Sequence, residues 1–280
     1  MYIEHSPRPA TLIFHLTTMA FVSAVLWGTA AFAFSESDLA KLKKTGSCAG
    51  CDLKEADLRK FNLAKADLSK ANLREVELKG VDLSGANLSG ADLRHAELEG
   101  AKLDGANLKK AKLRYADFEK ASLRGAQLQQ ADLRQSDFER ADLADANLEK
   151  VDARDFEAKR ARFNGTNLHG ADLRFGDLER ARMAGVRLDD ARLDGADLER
   201  ANLKGASLKG ASFKRTNLER VNLIGANLSG AVLDGTRLVK ANLSSASLRT
   251  AKKLKQEQLR RACGNKETTL PAGLTLRICE

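Results

Sequence analysis

The sequence predicts a solenoid, a chain wound into a four-sided coil, and three observations lead there. Leu recurs at every fifth residue, charges and glycines recur in columns at every twentieth, and aromatics are only 5% of the 280 residues. Most of the 43% apolar share is Ala and Leu, which does not supply the core of a conventional enzyme. Charged residues make up 30%, and 47 Lys and Arg against 38 Asp and Glu give a net charge of +9, basic without being extreme. Four Cys and four His are too few for a metal-cluster protein.

The chain opens with a targeting signature. Residues 11–33 are mostly apolar and small, follow Arg8, and close with Ala31-Phe32-Ala33, the small-x-small pattern of a signal-peptidase site. Segment 1–33 is therefore expected to be a signal peptide, with Phe34 starting the mature chain. An N-terminal anchor is the alternative, because about 23 residues can span a bilayer, although His15, Thr17, Thr18 and Ser23 weaken that span. No twin-Arg pair precedes the stretch and no lipobox precedes Cys48. Export by the general secretory route, to the bacterial periplasm, is the expectation. In an oxidising compartment Cys48 with Cys51, and Cys263 with Cys279 around a C-terminal loop, favour two local disulfides. Haem attachment at Cys48-x-x-Cys51 fails because Asp52, not His, follows.

Residues 34–50 read as an N-terminal cap, with a short helix over Ser35 to Leu42, Ser35 as its N-cap and an end near Gly46. The repeat occupies 51–250. An Ala-like residue, Asp or Asn, Leu, and two polar or small residues recur through forty centres from Leu53 to Leu248 without a slip in register. The exceptions to Leu are Phe118, Phe138, Ala153, Ala158, Phe163, Met183 and Phe213. Neither a period of 3.6 nor one of 2 holds Leu at every fifth residue, so the chain must coil with a few five-residue sides per turn. The number of sides follows from the columns. Lys54, Arg74, Arg94, Arg114, Arg134, Arg154 and Arg174 are spaced by twenty, as are Asp57, Glu77, Glu97, Asp117, Asp137, Glu157, Asp177 and Asp197. So are Lys120, Arg140, Arg160, Arg180, Arg200, Arg220 and Lys240, and the glycines Gly85, Gly105, Gly125, Gly165, Gly185, Gly205 and Gly225. Four sides of five residues place each column in register.

The stretch Ala86-Asn87-Leu88-Ser89-Gly90-Ala91-Asp92-Leu93 resembles the A-(D/N)-L-x-x pattern of the pentapeptide-repeat family, and the resemblance covers about 200 of the 280 residues. It implies an all-β solenoid: a right-handed quadrilateral β-helix of about ten coils with short helical caps, Leu or Phe at the centres and the Ala-like residues pointing inward. The final part, 251–280, is expected to be a helical cap over Leu254 to Cys263 followed by the Cys263–Cys279 loop. Gln256-Glu257-Gln258-Leu259 and the Leu270-Pro271-Ala272-Gly273-Leu274 segment resemble the end of some exported members. Some members also dimerise through their C-terminal ends, which implies a homodimer for this chain.

The arginine column, Lys54 to Arg174, is the candidate binding column. Its structural alternative is neutralisation, with Asp92, Asp132 and Asp172 beside Arg94, Arg134 and Arg174. A second candidate is the basic end, Lys252, Lys253, Lys255, Arg260 and Arg261. Centres shrink at Ala153 and Ala158 while Phe156 takes an Ala-like position, which reads as volume compensation. Phe118 with Phe138, and Phe163 with Met183, are expected to stack as core.

Catalysis finds no support: after cleavage only His95 and His169 remain, nearly four coils apart, and no nucleophile, phosphate-loop or dinucleotide motif stands in context. No catalytic residue, metal ligand or cofactor is expected. The leading reading is a non-enzymatic exported scaffold presenting its faces to a protein or envelope partner. The resemblance also implies a DNA-mimicking modulator of a type II topoisomerase such as gyrase, but residues 51–200 sum to a net charge of −2, little for an acidic mimic. Binding of anionic lipid or polymer by the basic end is the third reading, and nucleic acid is disfavoured.

Overall fold

Each five-residue side makes one bridge and one turn, and this small unit explains the whole repeat. The computed structural model describes residues 34–279, within one compact unit, Phe32–Glu280. The signal-peptide or anchor reading of 1–33 falls outside the described residues. Parallel bridges join residues twenty apart, from Asp52 with Asn72 through Val232 with Lys252. The columns read from the sequence are therefore physical stacks. Within a side, the Leu53 N–H donates to Asn72 O (2.8 Å), the Asn72 N–H donates back to Cys51 O (2.8 Å), and the Ala56 N–H closes the turn on Leu53 O (3.1 Å). Only one residue per side bridges before the next turn, so the stacks contain almost no extended strand.

The second residue of each turn has positive φ at every fifth position from Lys65 to Ser245, the mark of a type II turn. This is why glycines stack in columns. Asp145 (φ 61°) and Phe175 (φ 60°) hold the same conformation without that freedom. The Asp or Asn before each centre has its own reason. Its side chain accepts the N–H two residues on, as Asp82 accepts from Ser84 (2.9 Å), a local turn bond that would otherwise be left to water. Asn side chains then bond between coils, Asn107 to Asn87 at 3.0 Å and Asn167 to Asn147 at 3.1 Å.

Centres and Ala-like residues are buried together as one continuous core. Phe118 and Phe138 stack with centroids 4.6 Å apart and planes 7° from parallel. Phe156 is buried, and a Cβ on Gly176, one coil on, would lie 2.6 Å from its ring. The ring thus fills space released by Ala153, Ala158 and Gly176 together. Where Thr replaces the inward Ala, its hydroxyl is satisfied: Thr166 donates to Leu143 O and Thr216 to Leu193 O, both at 2.7 Å.

Helix α1, Glu36–Thr45, caps the first coil. Ser35 Oγ accepts from the Asp38 N–H at 3.3 Å, and Gly46 ends the helix at φ 70°, its N–H donating to Leu42 O. At the other end the expected helix is corrected: α2 covers only Gln256–Leu259. Gln258 Oε1 accepts the Lys255 N–H (2.8 Å), but a lysine ammonium has no acceptor with which to complete the cap. The ladder also reclaims the chain at once, because the Leu243 N–H donates to Cys263 O and the Leu248 N–H to Thr269 O, both at 2.8 Å. Strands β1, Cys263–Gly264, and β2, Arg277–Ile278, then pair in parallel.

Candidate functional site

Numbering the sides in chain order, face 1 has its centres at Leu53, Leu73 and every twentieth residue after, and face 2 at Leu58, Leu78 and onward. The arginine column lies on face 1, and most of it is neutralised within its own coil. Arg94 donates from Nε and Nη2 to the two oxygens of Asp92 (2.7 and 2.6 Å), and Arg134 does the same with Asp132. Arg154 with Asp152 and Arg174 with Asp172 repeat the fork. Burial pushes Asp92 and Asp152 up, but the hydrogen bond and charge of their arginines outweigh it and hold both carboxyls below their ordinary value. On face 2, the Arg59 hydrogen bonds bring Asp57 down to about 2. Lys54 pairs with Glu55 (2.6 Å), and Arg74 lies 3.8 Å from Glu75.

Arg114 breaks the series. Lys112 stands where the neighbouring coils have Asp, Arg114 meets no carboxylate among the described residues, and its buried Nε has no partner. The guanidinium lies 5.4 Å from the Tyr115 ring, which stacks on His95 at 4.8 Å. Reading the column alone misses this, although stepping by twenty through Asp92, Lys112 and Asp132 displays the break.

Face 2 concentrates carboxylates. Glu97, Glu99, Asp117, Glu119, Asp137 and Glu139 occupy three successive coils, a second acidic column beside the one the sequence reading recognised. The corner cations answer part of it, as Lys120 meets Glu99 (3.1 Å) and Glu119 (3.0 Å). Burial and the charges of Asp137, Glu99 and Glu119 raise Asp117 against the lowering effect of its bond from the Glu119 N–H.

The basic end is exposed at Lys252, Lys253, Lys255, Arg260 and Arg261, the last two lining a shallow depression of about 350 Å³ that reaches Val239. Both cysteine pairs are joined, Cys48 with Cys51 and Cys263 with Cys279, at Cα separations of 5.4 and 4.8 Å. Asp38 stands near the first pair, but the sulfurs are bonded to each other and offer no thiolate to a metal. His169 Nδ1 lies 3.0 Å from Asp189 O, whereas His95 packs on Tyr115, so the two histidines serve separate coils. Among the described residues, no helix is long and apolar enough to cross a membrane.

A coil of stacked A-(D/N)-L-x-x sides defines the pentapeptide-repeat class, and the chain belongs to that family. The family model of pentapeptide repeats matches residues 51–90, 141–185, 181–220 and 216–252, and that of a pentapeptide repeat region matches 79–148. Among solved structures the chain is similar to HetL, a pentapeptide repeat protein involved in heterocyst differentiation regulation from the cyanobacterium Nostoc sp. strain PCC 7120. Identity is 31% over 75% of this chain and 95% of that one, with a TM-score of 0.43. Rfr23 from the cyanobacterium Cyanothece 51142 is 30% identical over 43% of this chain and 64% of its own, with a TM-score of 0.30. QnrB1, a plasmid-mediated fluoroquinolone resistance protein, is 16% identical over 71% and 89%, with a TM-score of 0.32. No curated protein matches the chain.

Proposed function

We propose that the chain is a non-enzymatic, exported scaffold: a right-handed quadrilateral β-helix of about ten coils over 51–250 that presents flat faces to a protein or envelope partner. The observation that carries this reading is the unbroken twenty-residue ladder, whose outward side chains are held in ion pairs and amide ladders. Side chains ordered before binding lose little entropy on association, which suits a docking surface. The two joined cysteine pairs favour an oxidising compartment and so support export to the periplasm. In-cell cross-linking followed by isolation from envelope fractions tests the proposal. A discrete envelope adduct is expected, and recovery of nothing specific contradicts it.

One observation favours a second reading, a topoisomerase modulator. The near-zero charge sum hides the stacked carboxylates of face 2, which present a local negative field. A gyrase supercoiling assay decides it: protection from inhibitor supports this reading, and no effect removes it.

A further inference from the structure

We propose that the corner leaving face 1, from Tyr115 to Phe175, docks an extended acidic segment of a protein partner, with Lys112 and Arg114 receiving its carboxylates. The inference rests on the scaffold reading and gives it a place and a partner chemistry.

Charge is the first argument. In the coils on either side, a forked carboxylate neutralises the arginine of face 1, whereas Lys112 and Arg114 put two cations into one coil. The nearest carboxylate to Lys112 is Asp92 at 3.8 Å, and it already holds Arg94. Exposure is the second. Tyr115 at 43% and Phe175 at 62% are two of the three exposed large apolar residues among those described, and both occupy the same corner position. Exposed Tyr and Arg are the side chains that most often dominate an interface.

Backbone conformation is the third argument. Tyr115 and Phe175 sit at φ 58° and 60°, the left-handed region that glycine enters freely and bulky residues resist. Many equivalent turns use Gly, so the coil does not need an aromatic ring there; each ring rests on a neighbouring coil, Tyr115 against His95 and Phe175 over Gly195, and leaves the rest of itself exposed. The exposed remainder of the two rings is the surface a partner covers.

Geometry then selects the occupant. Phe175 is three coils beyond Tyr115, about 14 Å at the spacing of stacked strands, which an extended chain covers in about four residues. A free anion does not reach both points, but a peptide running along the corner does. On the corner itself Asp155 is exposed one coil before Phe175, and beyond the corner Asp117 and Asp137 of face 2 repel an anion, so the acidic residues must lie over Lys112 and Arg114 of face 1, with the apolar end of the segment towards Phe175.

The test uses the full mature chain and a fluorescein-labelled peptide, Glu-Glu-Gly-Gly-Leu-Leu, with Lys-Lys-Gly-Gly-Leu-Leu as control, read by anisotropy at low salt. The wild type is expected to prefer the acidic peptide, and Lys112→Asp and Tyr115→Gly to weaken it by about tenfold and about fivefold. Arg260→Ala with Arg261→Ala is expected to change it by less than about twofold. Melting temperatures of both corner variants should not fall, because Lys112→Asp restores the neighbours' pairing and Gly suits the turn, which separates lost binding from lost fold. Equal binding by Lys112→Asp, no preference for the acidic peptide, or loss only in the Arg260/Arg261 variant overturns the inference. An envelope adduct that survives both corner substitutions overturns it while leaving the scaffold reading intact. Peptide binding without any envelope adduct does the reverse.

Discussion

Replacing Gly176 by Ala distinguishes the structure from the repeat pattern more sharply than any other single change. The inward position two before a centre is Ala in most repeats, so the pattern alone ranks Gly176→Ala as a return to consensus. A modest gain is then expected, about 0.4–1 kcal/mol from the narrowed unfolded chain, because Gly176 has no left-handed φ to protect. The coil opposes this. The new methyl would lie 2.6 and 2.7 Å from two atoms of the Phe156 ring and 3.2 Å from Leu173 O. Phe156 is buried and has nowhere to withdraw. Overpacking of this kind costs about 1–3 kcal/mol, so the net expectation is a loss of about 1–2 kcal/mol after the entropic gain. Phe156→Ala alone should cost about 3–5 kcal/mol through the cavity it leaves. The double variant should be more stable than the sum of the two by about 1–3 kcal/mol, because the methyl then enters vacated space. Guanidinium denaturation of the four proteins measures the cycle. A Gly176→Ala chain as stable as wild type, or additive losses, would refute the packing argument.

Further expectations concern hydrogen bonds, pH and cystines. Thr166→Val should lower stability by about 1 kcal/mol in the same denaturation assay, since Leu143 O loses the hydroxyl and keeps only the Ala146 N–H. Asp57, Asp92 and Asp152 are held low, so their contribution is complete above the unfolded carboxylate value of about 3.9 and is lost as pH falls through their folded values. Asp117 is raised and acts oppositely, its protonation relieving the fold as pH falls. Melting temperature should therefore hold from neutral to mildly acidic pH and decline below about pH 4. Replacing Cys263 and Cys279 by Ser should cost about 3 kcal/mol on the chain-entropy account and release the C-terminal segment, seen as faster amide exchange at Arg277 and Ile278.

What the sequence makes legible follows from what it repeats. Leu at every fifth residue and charges at every twentieth are direct images of sides and coils, so the four-sided winding, the Phe118–Phe138 stack and the Ser35 cap can all be read in advance. The paired arginines are legible for the same reason, since Asp92 and Arg94 lie two apart on one face. Departures that depend on shape are not. Gly176 looks like one more small residue until the Phe156 ring is placed above it. The turn conformation at Tyr115 is invisible because Glu, Gln, Asp, Arg and Gly all occupy the same corner. Helix α2 is overextended in the sequence reading because Ala262 and Cys263 suit a helix locally, whereas the open edge of the last coil recruits them into the ladder. Charge summed along the chain hides face 2, because opposite columns cancel in a total and remain apart in space.

Compartment and thiol state, measured together, test the account most directly. Cells are fractionated, the N-terminus of the purified chain is determined, and alkylatable cysteines are counted with and without reductant. The exported scaffold predicts a chain beginning at Phe34 in the envelope fraction, with no reactive thiol until reductant exposes four. A full-length chain in the cytoplasm with four thiols already free contradicts it.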